Sequence, residues 1–256
     1  MPPETMPHAS AAPDSGLGAT ASADEIARFH KMADTWWDSR GAFKPLHALN
    51  TPRLEALTDY LARHFGRDRT ADKPFAGLTL LDIGCGGGLL CEPLTRLGFK
   101  VTGIDAGEKN IKVAELHAEK MGLAIDYRVT TPEQMSEQYD VVIAMEVIEH
   151  VADIDQFLAA SAERLKQGGA FLAATLNRNA KSFAMAIVGA EYVLGWLPRG
   201  THNWRKFVRP SEFAAGLRKV GIDVKAMEGM GYDPLRDRFF RIKSVDVNYM
   251  LYGVKS

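Results

Sequence analysis

Leu80-Leu81-Asp82-Ile83-Gly84-Cys85-Gly86-Gly87-Gly88 is the stretch on which the fold turns. A short apolar run carrying one acid passes into a glycine-rich turn, and a helical pattern follows from Leu89 to Leu97. That succession is the strand–turn–helix unit at which doubly wound sheets bind nucleotides. Gly84 and Gly86 leave the backbone bare, so a ligand can approach more closely than a Cβ would allow. A dinucleotide fingerprint G-x-G-x-x-G would place its third glycine at position 89, where this chain has leucine. The Gly86–Gly88 run widens the turn instead, and Asp82 precedes it. A carboxylate there suits a cationic amine or sulfonium better than an anionic pyrophosphate, which favours S-adenosylmethionine (SAM) over NAD. The alternative is a tight turn with no ligand, and a second acid weighs against it. Asp105 ends the next apolar run, Val101-Thr102-Gly103-Ile104-Asp105, 21 residues after Gly84. An acid about 20 residues past the turn can accept bonds from both ribose hydroxyls. Its other use is as a helix N-cap.

Outward from this unit the chain alternates. Strands are expected at 78–83, 100–104, 125–129, 139–145 and 169–176, with helices at 89–97, 107–121 and 154–166. Such β-α alternation implies a parallel sheet with right-handed crossovers. The end departs from it: 222–228 and 245–253 read as strands with no full helix between them, an antiparallel hairpin. On the N-terminal side, residues 1–21 read as a disordered tail with neither a secretory signal nor an Arg-rich transit peptide. Ser22 and Glu25 form a capping box ahead of a helix bearing Ile26, Phe29, Ala33 and Trp36 or Trp37. A second helix is expected from Asn50-Thr51-Pro52, a capping residue followed by proline at the first helical position, with Leu54, Leu57 and Leu61 on its apolar face.

Composition narrows the function classes. The chain has 256 residues, 46% of them hydrophobic, and a net charge of −1, so no global basic field points to nucleic acid. Two cysteines, Cys85 and Cys91, cannot build a disulfide framework, and a reducing compartment is expected. Its longest uncharged apolar stretch, 183–190, is far short of the ~20 residues that span a bilayer. Residues 177–209 break the β-α alternation. They hold six basic residues, Arg178, Lys181, Arg199, Arg205, Lys206 and Arg209, against the single acid Glu191.

These motifs resemble class I SAM-dependent methyltransferases over roughly residues 78–176. Further segments are similar to the ubiquinone-biosynthesis O-methyltransferase family: Trp36-Trp37-Asp38, Phe43-Lys44-Pro45-Leu46-His47, Asn50-Thr51-Pro52-Arg53-Leu54, Met145-Glu146-Val147-Ile148-Glu149-His150-Val151, Thr175-Leu176-Asn177-Arg178-Asn179, Gly189-Ala190-Glu191-Tyr192, Gly200-Thr201-His202 and Asp246-Val247-Asn248-Tyr249-Met250. Where the family usually has proline, this chain has Thr51, with its proline one place later, and Arg53 keeps its position. The resemblance implies an α/β fold, a Rossmann-like seven-stranded sheet with an N-terminal helical cap and a helical insertion after the fifth strand. It implies one methyltransferase domain over 22–256 with the cap at 22–77; the apolar and basic residues of 177–209 read as a lid that also makes a peripheral membrane contact, the alternative being a lid packed wholly on its own domain.

By the same resemblance the cofactor contacts are Arg53, Gly84, Asp105 and Met145, and the reading of the turn itself adds Asp82 and Gly86. By residue type alone Arg53 reads as an exposed helix arginine and Met145 as core. As ligands, Arg53 would fork onto the methionyl carboxylate and Met145 would pack on adenine or near the sulfonium. Thr131 and Pro132 border the adenine. Glu146, Glu149 and His150 follow a strand and emerge beside the cofactor. They can deprotonate a phenol, with His150 as base and Glu149 beside it, or hold Mg²⁺ that lowers the phenol's pKa. A phenol titrates near ~10 and His near ~6.5, so unaided transfer is uphill by roughly 4–5 kcal/mol at ~1.36 per unit. The alternative for this trio is a solvated, capped helix start.

His30, His47, His64 and His117 read as packing or surface residues, though His47 and His202 lie in family segments and can touch substrate. Trp36 and Trp37 read as core, and Cys85 as small packing. The implied reaction is methyl transfer from SAM to a catechol-type hydroxyl of a polyprenylated ubiquinone precursor, on a polyprenyl catechol and on demethylubiquinol. C-methylation in a quinone pathway, a small-phenol methyltransferase and a non-catalytic SAM- or NAD-binding module are the other readings. The expected setting is a bacterial cytoplasm, peripheral on an anionic inner-membrane surface through 177–209, with a ubiquinone-biosynthesis complex as a further partner and no nucleic acid.

Overall fold

The computed structural model describes residues 36–41, 43–185 and 203–256. The tail, the Ser22 capping box, the helix expected from Ile26 to Ala33, and residues 186–202 with Trp196 and His202 lie outside the described residues.

Eight strands form one sheet: β1 (Thr79–Ile83), β2 (Lys100–Asp105), β3 (Asp126–Val129), β4 (Tyr139–Met145), β5 (Leu165–Leu176), β6 (Ile222–Asp233), β7 (Arg238–Ile242) and β8 (Asn248–Lys255). Their spatial order is β3-β2-β1-β4-β5-β8-β6-β7. The first five are parallel and the last three antiparallel. Among the described residues the α-helices of six residues or more are α1 (Lys44–Phe65), α2 (Cys91–Arg96), α3 (Glu108–Lys120), α4 (Ile154–Glu163) and α5 (Pro210–Lys219).

The two-residue period of the strands sorts the core onto both faces of the sheet. Leu80, Val141, Ile143 and Leu172 pack against Ala56, Leu57 and Leu61 of α1, Leu94 of α2 and Ile111 of α3. Leu81, Val142, Ala144 and Phe171 pack against Phe157 and Leu158 of α4 and Phe213 and Leu217 of α5. Near-continuous apolar strands are what a sheet covered on both faces requires.

Three expectations are corrected. First, α1 starts at Lys44, six residues ahead of Asn50, with Pro45 in its first turn; Pro52 lies inside the helix. Both prolines satisfy the first-turn rule. The deeper burial of Arg53, Ala56, Leu57 and Leu61 carries the helix through the second one. Second, the strand expected from residue 169 begins at Leu165, and α4 stops at Glu163. Gly168-Gly169 are absorbed in an irregularity of register, where Tyr139 faces Leu165 but Val141 faces Ala170. Third, β6 and β8 do pair antiparallel, but β7 lies between them in sequence, so the hairpin is β6–β7 and the sheet has eight strands where seven were expected. Among the described residues no helix is long and apolar enough to cross a membrane.

Candidate active site

β1, β2, β4 and β5 run parallel, so their carboxyl ends lie along one edge. Gly84 (φ 71°) and Gly86 (φ 53°) take left-handed conformations and fold the chain back over β2. The N–H groups of Gly84 and Cys85 both donate to the Ile104 carbonyl, at 2.8 and 2.9 Å. Asp105 is the fastening of this turn. Its Oδ2 accepts from the Gly86 N–H at 3.0 Å, and its Oδ1 accepts from the Gly107 N–H at 2.7 Å and from Asn110 Nδ2 at 3.0 Å. Asp105 therefore also serves the start of α3, where Gly107 is the N-cap residue.

Asp82 is 3% exposed, and the Cys91 thiol donates to its Oδ2 at 3.2 Å. Burial pushes its pKa up to about 7. The neighbouring Asp105 charge adds to the shift, while the Cys91 hydrogen bond and the Arg53 charge oppose it. A cation brought beside such a buried carboxylate would favour its charged form. Cys85 is buried and its thiol is pushed up to about 11, chiefly by burial, so it is packing and no nucleophile.

Arg53 is 2% exposed and forms an ion pair with Glu146. The exposed helix arginine of the residue-type reading is therefore corrected: α1 turns this guanidinium inward. Met145 ends β4 in the α1-side core. Glu146 has φ 57°, unusual for a non-glycine residue and worth about 1–3 kcal/mol of strain. Glu149 is 4% exposed, and Thr175 on β5 donates its hydroxyl to Oε2 at 2.7 Å. Burial, with help from the Glu146 charge, pushes Glu149 up to about 7. His150 is half-buried in the turn that follows, its N–H bonded to the Val147 carbonyl at 2.9 Å.

The capped-helix alternative for this trio does not hold. α4 begins at Ile154 and is capped by Asp153, beyond His150. The Mg²⁺ expectation at Glu146, Glu149 and His150 is not met by this donor set either. Among the described residues no group of three His, Cys, Asp or Glu side chains is disposed to hold a metal ion. Glu146 is drawn to Arg53 and Glu149 to Thr175.

The residues present do fit SAM. Besides the two acids, Thr131 Oγ1 is buried without a protein partner just past β3, while the places a Cβ would take on Gly84 and Gly86 are occupied by Val147 and Trp36 of this chain. Four residues were not singled out as site residues. Asn110 bridges to Asp105, Thr175 holds Glu149, Trp36 lies against the glycine turn, and Asn50 carries a buried, unpartnered Oδ1 one helical turn before Arg53. Periodicity does not single out Thr175 or Trp36, because they act through contacts with Glu149 and Gly86, 26 and 50 residues away in sequence. His47 holds the Trp36 carbonyl at 2.7 Å, and His64 bonds Tyr252 at 2.7 Å.

Comparison with known proteins follows the same lines. A family profile described as a methyltransferase domain matches residues 53–226. The ubiquinone biosynthesis O-methyltransferase of Paramagnetospirillum magneticum is 61% identical, over 92% of this chain and 96% of that protein. The proteins of the same description from Chelativorans sp. and Brucella anthropi are 52% and 51% identical, over 92% and 91% of this chain and 94% and 95% of theirs. Among solved structures, magnesium protoporphyrin IX methyltransferase from Synechocystis with bound SAH aligns at a TM-score of 0.61 with 18% identity, covering 91% of this chain and 94% of that one. The same enzyme with bound SAM aligns at 0.58. At that identity the likeness is one of fold.

Proposed function

The chain belongs to the ubiquinone biosynthesis O-methyltransferase family, is a SAM-dependent enzyme of that pathway, and on this premise we propose that it methylates catechol-type hydroxyls of polyprenylated precursors at both O-methylation steps. The observation that carries the proposal is the convergence, on one edge of the sheet, of the Asp82–Gly84–Asp105 cofactor set with Glu149 and His150.

Bound SAM supplies a methyl group on a cationic sulfur. Asp82 and Asp105 provide the negative field that holds such a cation, and Asp105 aligns it through the ribose. Arg53, kept inward by Glu146, is placed to receive the methionyl carboxylate. His150 takes the phenol proton as the oxygen is methylated, and Glu149, held by Thr175, stabilises the imidazolium that results. Orientation of oxygen, methyl and sulfur in line supplies much of the remainder.

Transfer of labelled methyl from SAM to a prenylated catechol is the test. A labelled ring ether supports the proposal, a ring C-methyl product overturns it in favour of C-methylation, and binding without turnover leaves only a SAM-binding module. Demethylubiquinol as second substrate separates the two steps.

Residues 22–256 are taken as a single methyltransferase unit with 177–209 as its lid. A specific observation supports a membrane-facing role for that segment. Phe183 and Met185 are 46% and 55% exposed, and Trp204 lies edge-on to Phe183 beside the exposed Arg205. A polyprenyl tail is nearly insoluble in water, so the enzyme must meet it at a bilayer or in a hydrophobic tunnel, and this exposed apolar surface favours the bilayer. Cosedimentation with anionic vesicles should weaken with salt, and weaken further in Arg205→Glu/Lys206→Glu. Equal binding to neutral and anionic vesicles would remove the electrostatic part.

A further inference from the structure

Trp36 and Trp37 grip the glycine turn from outside the nucleotide fold. The Trp36 indole lies directly on the turn: a Cβ on Gly86 would come within 2.6 Å of it, and one on Gly87 within 2.7 Å. Phe43 stacks on the indole with centroids 4.0 Å apart, and Trp36 is 9% exposed. Its Nε1–H points to Asn110 Oδ1 at 3.4 Å, and the Asn110 amide donates in turn to Asp105. Trp37 Nε1–H donates to the Gly87 carbonyl at 2.8 Å. The Trp37 ring stacks on His117 at 3.5 Å, and His117 Nδ1 meets the buried Glu92 of α2 at 2.5 Å. A buried indole N–H needs an acceptor in any core; what is particular here is where the two acceptors lie, on the Gly87 carbonyl of the turn and on Asn110, the residue that donates to Asp105. The bareness of Gly86 and Gly87 is thus used by an aromatic ring of this chain.

We propose that Trp36 is a cofactor-binding residue and that the Trp36-Trp37 pair is a clasp closing over SAM at the glycine turn. This rests on the reading that SAM lies against that turn with its ribose on Asp105. Linkage makes the coupling reciprocal: whatever the clasp adds to SAM affinity, SAM adds to the closure of the clasp. The indole–Asn110–Asp105 chain is the route, because ribose hydroxyls approaching Asp105 meet a carboxylate whose Oδ1 already serves Asn110.

Calorimetric titration of the full chain with SAM tests it. Trp36→Ala should weaken SAM binding by about tenfold, or 1.4 kcal/mol, with the catechol KM at saturating SAM unchanged. Trp36→Phe keeps a ring on the turn and loses only the Asn110 bond, so its loss should be smaller. Trp37→Phe, which lacks the donor to Gly87, should weaken SAM similarly and gives a second measure if Trp36→Ala does not fold. In the unsubstituted chain, SAM should slow amide exchange around Trp36 and Trp37. Unchanged or tighter SAM binding in folded Trp36→Ala overturns the clasp, tighter binding meaning that the indole obstructs the site. Undiminished SAM binding in Asp105→Ala would instead remove the underlying reading. Weak binding there with normal binding in both tryptophan variants sinks the clasp alone.

Discussion

The guanidinium of Arg53, at the middle of α1, closes on the carboxylate of Glu146, the first residue past β4. The pair ties the N-terminal helix to the strand end from which the candidate base emerges, and it is asymmetric. The Arg53 side chain is 3% exposed and that of Glu146 28%.

The asymmetry predicts which half matters more for stability. Glu146→Ala strands a buried guanidinium, the situation that typically costs about 3–5 kcal/mol. Arg53→Ala leaves a carboxylate that water can reach and should cost less. Chemical denaturation of the two variants should rank them in that order, and the reverse ranking would mean that Asp82 is the true partner of Arg53. For SAM affinity the order should invert, with Arg53→Ala the weaker binder.

Asp105→Ala should lower SAM affinity at least tenfold, since charge-assisted bonds to ribose are worth about 1.5–3 kcal/mol each. The same substitution unfastens the Gly86 and Gly107 N–H groups, so the ligand-free chain should lose stability too. Asp105→Asn, which retains an acceptor oxygen, should recover part of the stability and little of the affinity.

Asp82 gives a pH signature. Its folded value of about 7 lies above its ordinary 3.8. Between those values the folded chain holds a proton that the unfolded chain has released. The contribution of this group to stability therefore falls as pH rises through that window, and the full penalty for burying the charge stands above it. Asp82→Asn should stabilise the ligand-free chain more at pH ~8 than at pH ~5, read from urea midpoints. Binding of cationic SAM favours the carboxylate, so near pH 7 it should release protons, seen as a dependence of binding heat on buffer ionisation enthalpy.

His150→Ala should cut kcat by about 10²–10⁴ and leave SAM affinity nearly intact. Normal turnover in that variant, with and without added Mg²⁺, would remove His150 from the chemistry. Thr175→Val should lower kcat as well, with Thr175→Ser restoring it, because the serine hydroxyl can still reach Glu149.

Much of this architecture is legible in the sequence wherever one residue type does one job. β4 runs from Tyr139 to Met145 around the apolar run Val141–Met145, and Asp105 reaches the glycine turn at the spacing that nucleotide folds share. Ambiguity entered where two residues meet the same rule. Pro45 and Pro52 are both acceptable first-turn prolines, and it is the helix buried from Pro52 onward that carries the chain through the second. β7 was hidden because Arg238-Phe239-Phe240-Arg241-Ile242 lacks clean alternation, and it lies at the sheet's edge with a strand partner on one side only. The inward turn of Arg53 follows from Glu146, 93 residues away, and no local pattern carries that information.

The placement of β8 has a consequence for how the chain is made. β5 and β6 both precede it in sequence, yet β8 is the strand that lies between them. During synthesis the parallel half of the sheet therefore waits with the apolar border of β5 uncovered, through Ala170, Phe171, Leu172 and Ala173, until residues 248–255 emerge. Nascent chains stalled before that point should aggregate or recruit holdase chaperones, and release from them should coincide with emergence of the last strand.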